Sequence, residues 1–145
     1  MAIRSTWRNS VRQLDVAAND SDKIITVPAD TEWEILGIQV KLVSTGTVGN
    51  RRVEVVVRDG ADAIMFTLVA GAVQAASATV LYSFGAGLPR ETTVVGGALM
   101  SPLPQGLILA GGWDIRILDS AAVDAAADDM DIAVIYTENA KGGAV

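Results

Sequence analysis

Arg52-Val53-Glu54-Val55-Val56-Val57-Arg58-Asp59-Gly60-Ala61-Asp62-Ala63-Ile64-Met65-Phe66-Thr67-Leu68 is the stretch that decides the fold class. Val53, Val55 and Val57 alternate with Arg52, Glu54, Val56 and Arg58, and a period of two marks a half-buried strand. Asp59-Gly60 is a turn dipeptide, after which Ile64, Phe66 and Leu68 alternate in their turn. The stretch predicts a β-hairpin.

The same period extends in both directions. Upstream, Leu36, Ile38, Val40 and Leu42 alternate with Gly37, Gln39, Lys41 and Val43, and Ile24-Ile25-Thr26-Val27 is a β-branched run closed by Pro28-Ala29-Asp30. Residues 44–50 read as a loop. Downstream, the small residues 70–78 suit a loop or one short helical turn. Strand candidates follow at Thr79–Phe84, Thr92–Val95, Ala98–Met100, Leu107–Leu109, Trp113–Leu118 and Asp131–Thr137. Gly85-Ala86-Gly87, Gly96-Gly97, the Pro102–Gly106 segment, Gly111-Gly112 and an Ala/Asp-rich connection over 121–129 separate them. The Gly96-Gly97 pair fits a bulge or a close approach of two backbones. Eight or nine strands with no long helical pattern predict an all-β fold, an antiparallel β-sandwich of the jelly-roll kind, with an up-and-down barrel as the competing closure.

With 145 residues the chain fits one domain, divided into an arm over 1–22, a sandwich over 23–138 and a flexible tail over 139–145. In the arm Ile3, Trp7, Val11 and Leu14 recur at helical spacing with Arg4, Arg8 and Arg12 one position behind, so the segment is expected to be extended or short-helical. Its three arginines give residues 1–13 a charge of +3. The net charge of −6 therefore leaves −9 on the remainder, a basic arm before an acidic body. Arg4, Trp7, Arg8, Val11 and Arg12 are the candidate residues for contact with a neighbouring subunit or partner; the bland alternative is a terminus packed on its own body.

The composition removes most chemistry. There is no cysteine and no histidine, which excludes disulfides, thiolate nucleophiles, imidazole bases and nearly every zinc or haem site. The acidic charge argues against binding nucleic acid, and no apolar run is long enough to span a membrane. The N-terminus has no apolar stretch after its positive charges, so use without secretory export is expected. Glu32 and Glu34 would share a strand face, and Asp124, Asp128, Asp129 and Asp131 cluster before the last strand. The first pair lies at a strand margin, and the second lacks the alternating ligand spacing of a calcium loop, so both are expected to be solvated acids. Neither Gly85-Ala86-Gly87 nor Gly111-Gly112 precedes a helix, as a phosphate cradle requires. Trp33 and Trp113 begin alternating strands and are expected in the core or at a subunit interface rather than on a sugar-binding platform. No catalytic, metal or cofactor site is expected.

Residues 103–130, Leu-Pro-Gln-Gly-Leu-Ile-Leu-Ala-Gly-Gly-Trp-Asp-Ile-Arg-Ile-Leu-Asp-Ser-Ala-Ala-Val-Asp-Ala-Ala-Ala-Asp-Asp-Met, carry a further signal. A Leu-Pro-x-Gly turn leads into an apolar strand, a Gly-aromatic entry opens a strand ending in Asp-Ser, and an Ala/Asp loop precedes the last strand. This pattern resembles the capsid decoration, or cement, proteins of tailed bacteriophages. The resemblance implies a jelly roll, a homotrimer, and binding to the major capsid protein at threefold positions on the outer surface of the virion, after synthesis in the host cytoplasm. It implies no catalytic residue and no cofactor. A trimeric tail-fibre or receptor-binding, carbohydrate-binding β-sandwich domain is the alternative. Positive mean hydropathy and the scarcity of charge in the strands fit a β-surface covered by another chain.

Overall fold

The structure, a computed structural model, describes residues 10–140. Ten strands are present among them: β1 (Ser10–Asp15), β2 (Asp22–Thr26), β3 (Thr31–Val43), β4 (Val53–Arg58), β5 (Ile64–Val69), β6 (Thr79–Gly85), β7 (Ala98–Pro102), β8 (Ile108–Ala110), β9 (Asp114–Asp119) and β10 (Asp129–Ala140).

They form two sheets, one in the order β1-β10-β3-β6-β7 with β8 also on β3, the other β2-β9-β4-β5. The pairs β1·β10, β2·β9, β3·β6 and β4·β5 are all antiparallel and nest one inside the next, as in one long hairpin folded at the β4–β5 turn. Rolling that hairpin adds the pairs β10·β3 and β9·β4. This connectivity is the jelly roll, with β7 and β8 inserted between its sixth and seventh strands. The barrel alternative is excluded by the two separate sheets.

The deciding hairpin forms as its alternation requires. Val55 and Val57 face Leu68 and Phe66 across β4·β5, and both valines are buried. The Asp59 carboxylate accepts the N–H groups of Ala61 and Ala63, at 2.8 and 3.0 Å, which folds the connection on itself. Between the sheets Ile38, Val40 and Leu42 of β3, Ile115 and Ile117 of β9, and Met130, Ile132 and Val134 of β10 are essentially inaccessible. Each such side chain contributes about 1.5–3 kcal/mol relative to an exposed one. Trp33 belongs to this core, and Trp113 packs against it half-buried.

Two expectations change, and two open ones resolve. Thr92–Val95 is a loop, because Gly96 and Gly97 at φ of 60° and 75° reverse the chain so that Val95 meets Ala98; the glycines make a turn rather than a bulge, and Gly97 lies against the β6 backbone, its carbonyl accepting the Leu81 N–H at 2.8 Å. β6 and β7 pair in parallel, an exception to the antiparallel plan. Residues 70–78 hold an isolated bridge, Arg51 to Gln74, and no helical turn. Of the two forms open to the arm, residues 10–15 take the extended one, since β10 offers a free edge with which six consecutive residues pair. β1 is part of a sheet, β2 opens at Asp22, and β10 runs to Ala140.

Candidate functional site

Arg4, Trp7 and Arg8 lie outside the described residues; Val11 and Arg12 sit on β1. Among the described residues that strand is an edge, held on one side only, and five of its six residues are exposed. Its far end is fastened by Lys23, a buried lysine of β2 whose Nζ donates to the Asp15 carboxylate at 3.2 Å and to the Ala17 carbonyl at 2.6 Å, and which also contacts Asp20. Burial alone would lower the Lys23 pKa; the Asp20 and Asp15 carboxylates outweigh it and hold the ammonium above its ordinary value.

Registers across the two sheets place unlike outer faces on the sandwich. Residues directly opposite in neighbouring strands share a face. On the β2-β9-β4-β5 sheet the outward side chains pair by charge: Arg58 grips Asp114 through two 2.8 Å hydrogen bonds, and Arg116 holds Asp22 with its Nε at 2.8 Å. The Arg116 guanidinium is the main reason the Asp22 carboxyl lies below its usual range. On the other sheet one row across the face is Leu14, Ala133, Gln39, Ser83 and Met100, and the next is Arg12, Ile135, Gly37, Gly85 and Pro102. Leu14 is 46% exposed and Leu81, one row further, 43%. Leu36, the extra residue at the β3–β10 bulge, adds to this surface. The charges on these two rows come to Arg12 alone, and the row of Leu81 holds Lys41 and Asp131, in contact at 3.7 Å. One outer face is crossed by ion pairs, with Ile24 exposed among them; the other carries fewer charges, Arg12 and the Lys41–Asp131 pair.

Sequence reasoning missed a buried polar node between loops. Arg51 and Asp128 are both fully buried, and the guanidinium donates from Nε to Asp128 Oδ2 at 2.8 Å and from Nη2 to Oδ1 at 3.1 Å. Arg51 Nη1 also donates to the carbonyls of Thr47 and Gly49, and the Thr45 amide reaches Asp128 at 2.8 Å. Burial would raise the Asp128 carboxyl; Arg51 and Thr45 overturn that and keep it below the ordinary carboxylate value. The hydroxyls of Thr45 and Thr47 both donate to Asp124, lowering that carboxyl as well. The Asp124–Asp131 cluster is therefore not a solvated loop at Asp128: it closes on the β3–β4 connection. An arginine and an aspartate 77 positions apart, each in a loop, give no local signal. Among the described residues no group of three His, Cys, Asp or Glu side chains is placed to hold a metal.

Glu32 and Glu34 stand on one face of β3, half-buried beside Asn139 and Thr137 of β10. Trp33 between them stacks on Tyr136 with ring centroids 3.7 Å apart and donates its indole N–H to Glu138 at 3.3 Å. A groove of about 450 Å³ is lined by Arg52, Val73, Thr92 and Thr93 among others, and one of about 310 Å³ by Thr67, Leu68, Val69, Arg90, Ser101 and Pro102. Neither lining includes a carboxylate, so neither assembles an acid–base pair.

No protein-family model and no curated protein matches this chain. Among solved structures it is similar to one of infectious bursal disease virus (IBDV), Gx strain, at 13% identity and a TM-score of 0.34 over 89% of this chain and 40% of that one. It is similar also to a structure of the IBDV viral particle, at 10% identity and a TM-score of 0.31 over 95% of this chain and 41% of that one. The chain spans about two fifths of the length of each. The jelly-roll assignment rests on strand order rather than on these likenesses.

Proposed function

We propose that the protein is a structural virion protein, a homotrimer that binds the outer surface of a tailed-phage capsid and reinforces contacts between major capsid subunits. The observation that carries the reading is the set of exposed leucines, Leu14, Leu36 and Leu81, on the β1-β10-β3-β6-β7 sheet, where charge is limited to Arg12 and the Lys41–Asp131 pair on the rows they share. A sheet face with exposed Leu14, Leu36 and Leu81 is suited to cover by protein rather than by water. The resemblance of residues 103–130 to decoration proteins supplies the kind of partner, and the jelly roll is one of the folds that viral shells use. Fold alone decides nothing about function, and the sequence resemblance is what narrows it.

In this reading Arg4, Trp7, Arg8, Val11 and Arg12 form the contact that reaches a neighbouring subunit or the shell, the last two from the exposed edge β1. Trimerisation multiplies weak contacts by effective concentration, so no single one needs to be strong. The test is light scattering after size exclusion, followed by sedimentation with empty shells. A trimer that sediments with shells supports the reading, and a monomer that stays in the supernatant removes it. Deleting residues 1–9, which leaves β1 whole, is expected to weaken shell binding while the sandwich stays folded.

A further inference from the structure

The outermost strands of the two sheets are protected unequally. An unpaired edge templates the addition of another strand, and proteins block this with charges, proline, short length or a covering loop. β1 carries Arg12 and Asp15, and β2 carries Asp22 and Lys23. β7 ends in Pro102 and is capped by Glu91, whose N–H reaches the Met100 carbonyl at 3.0 Å while its carboxylate accepts the Met100 N–H at 2.7 Å. β8 is three residues long.

β5 has none of these devices along its length. Ile64-Met65-Phe66-Thr67-Leu68-Val69 contains no charge and no proline, and Ile64 is 65% and Met65 50% exposed. Among the described residues it pairs with β4 alone, and the irregularity in that pair lies at the β5 start. Among the described residues no backbone hydrogen bond reaches its other edge.

The 310 Å³ groove runs beside that free edge, between β5 and β7. Ser101 lines it from β7, directly opposite buried Phe84 and so facing between the sheets. Its side chain is 3% exposed, and its hydroxyl has no partner among the described residues. Arg90 borders the same groove with no ion pair to any described residue. The Ser101 hydroxyl is buried without a partner and the Arg90 guanidinium stands exposed at the same groove, so both are open to an acceptor with negative charge.

We infer that the β5 edge and this groove form a strand-accepting site for an extended segment of another protein that carries a carboxylate side chain. The segment's main chain completes the ladder on β5, and its carboxylate accepts from Arg90 and Ser101. Backbone pairing supplies affinity and the pocket supplies selectivity, the division seen wherever a peptide adds to a sheet edge. The site stands whether or not the partner is a capsid subunit.

The test uses the full chain, isotope-labelled, with a capped nonapeptide of alternating valine and threonine that has a central aspartate, and its asparagine counterpart. Amide exchange in β5 is expected to slow on adding the aspartate peptide, which binds about tenfold more tightly than the asparagine one. Arg90→Gln erases that preference. Ser101→Ala weakens the aspartate peptide yet raises the melting temperature of the free protein, because an unpaired buried hydroxyl is removed. Unchanged exchange in β5, or a preference that survives Arg90→Gln, overturns the inference. Protection of β5 that grows with protein concentration alone, without peptide, assigns the edge to a second copy of the chain and overturns it too.

Discussion

Arg51 and Asp128, one in the loop before β4 and the other just ahead of β10, meet through two hydrogen bonds with neither side chain accessible to water. The pair joins the ends of both sheets, since Arg51 also bridges to Gln74 through paired backbone hydrogen bonds of 2.8 and 2.9 Å. Removing one partner strands a buried charge. Asp128→Asn is therefore expected to lower stability by about 3–5 kcal/mol, read from urea unfolding. The double variant Arg51→Met, Asp128→Leu is expected to lose less than either single change, because no unpaired charge remains.

The same carboxylate makes stability depend on acid. The folded Asp128 carboxyl holds its proton less tightly than its ordinary value of 3.8, and Asp22 and Asp124 do likewise. The unfolded chain thus binds more protons as pH falls, so the contribution is complete above the unfolded value and is lost as pH falls through the folded one. Urea midpoints are expected to be nearly level from about pH 7 to 5 and to drop below about pH 4. Asp128→Asn should flatten that drop.

The strands were legible where both faces of the period were filled. β4 and β5 show it best, because Val53, Val55 and Val57 need a partner face and Asp59 supplies the turn. β1 was ambiguous because Val11 and Leu14 stand three apart, a helical spacing, and the strand is decided by β10 across the sheet. Thr92–Val95 has β-branched content, yet the positive φ of Gly96 and Gly97 ends it in a turn. The loop-borne ion pair, the parallel β6·β7 contact and the unguarded edge of β5 depend on residues distant in sequence, and no local pattern carries them.

Trp33 and Tyr136 stack inside the core at an interplanar angle of 13°. Trp33→Ala is expected to cost about 3–5 kcal/mol, and Trp33→Phe appreciably less because a ring still faces Tyr136. Chemical denaturation measures the loss, and the near-ultraviolet circular dichroism of the folded protein should change with it.

Gly71 admits no side chain, since a Cβ there would lie 2.1 Å from the Glu91 carbonyl oxygen. Gly71→Ala must displace the loop that caps β7, at a cost of about 1–3 kcal/mol. Faster amide exchange at Glu91 and Met100 would locate the damage; exchange unchanged at both would contradict the contact.

The central claim is the proposal that the protein binds the outer surface of a capsid shell as a trimer. Its most direct test is sedimentation of the purified full chain with empty tailed-phage shells assembled from a major capsid protein. The account predicts saturable binding of species three times the 15.1 kDa chain mass, and shells that melt at a higher temperature once saturated. A chain that remains in the supernatant at every concentration, with shell melting unchanged, would contradict it.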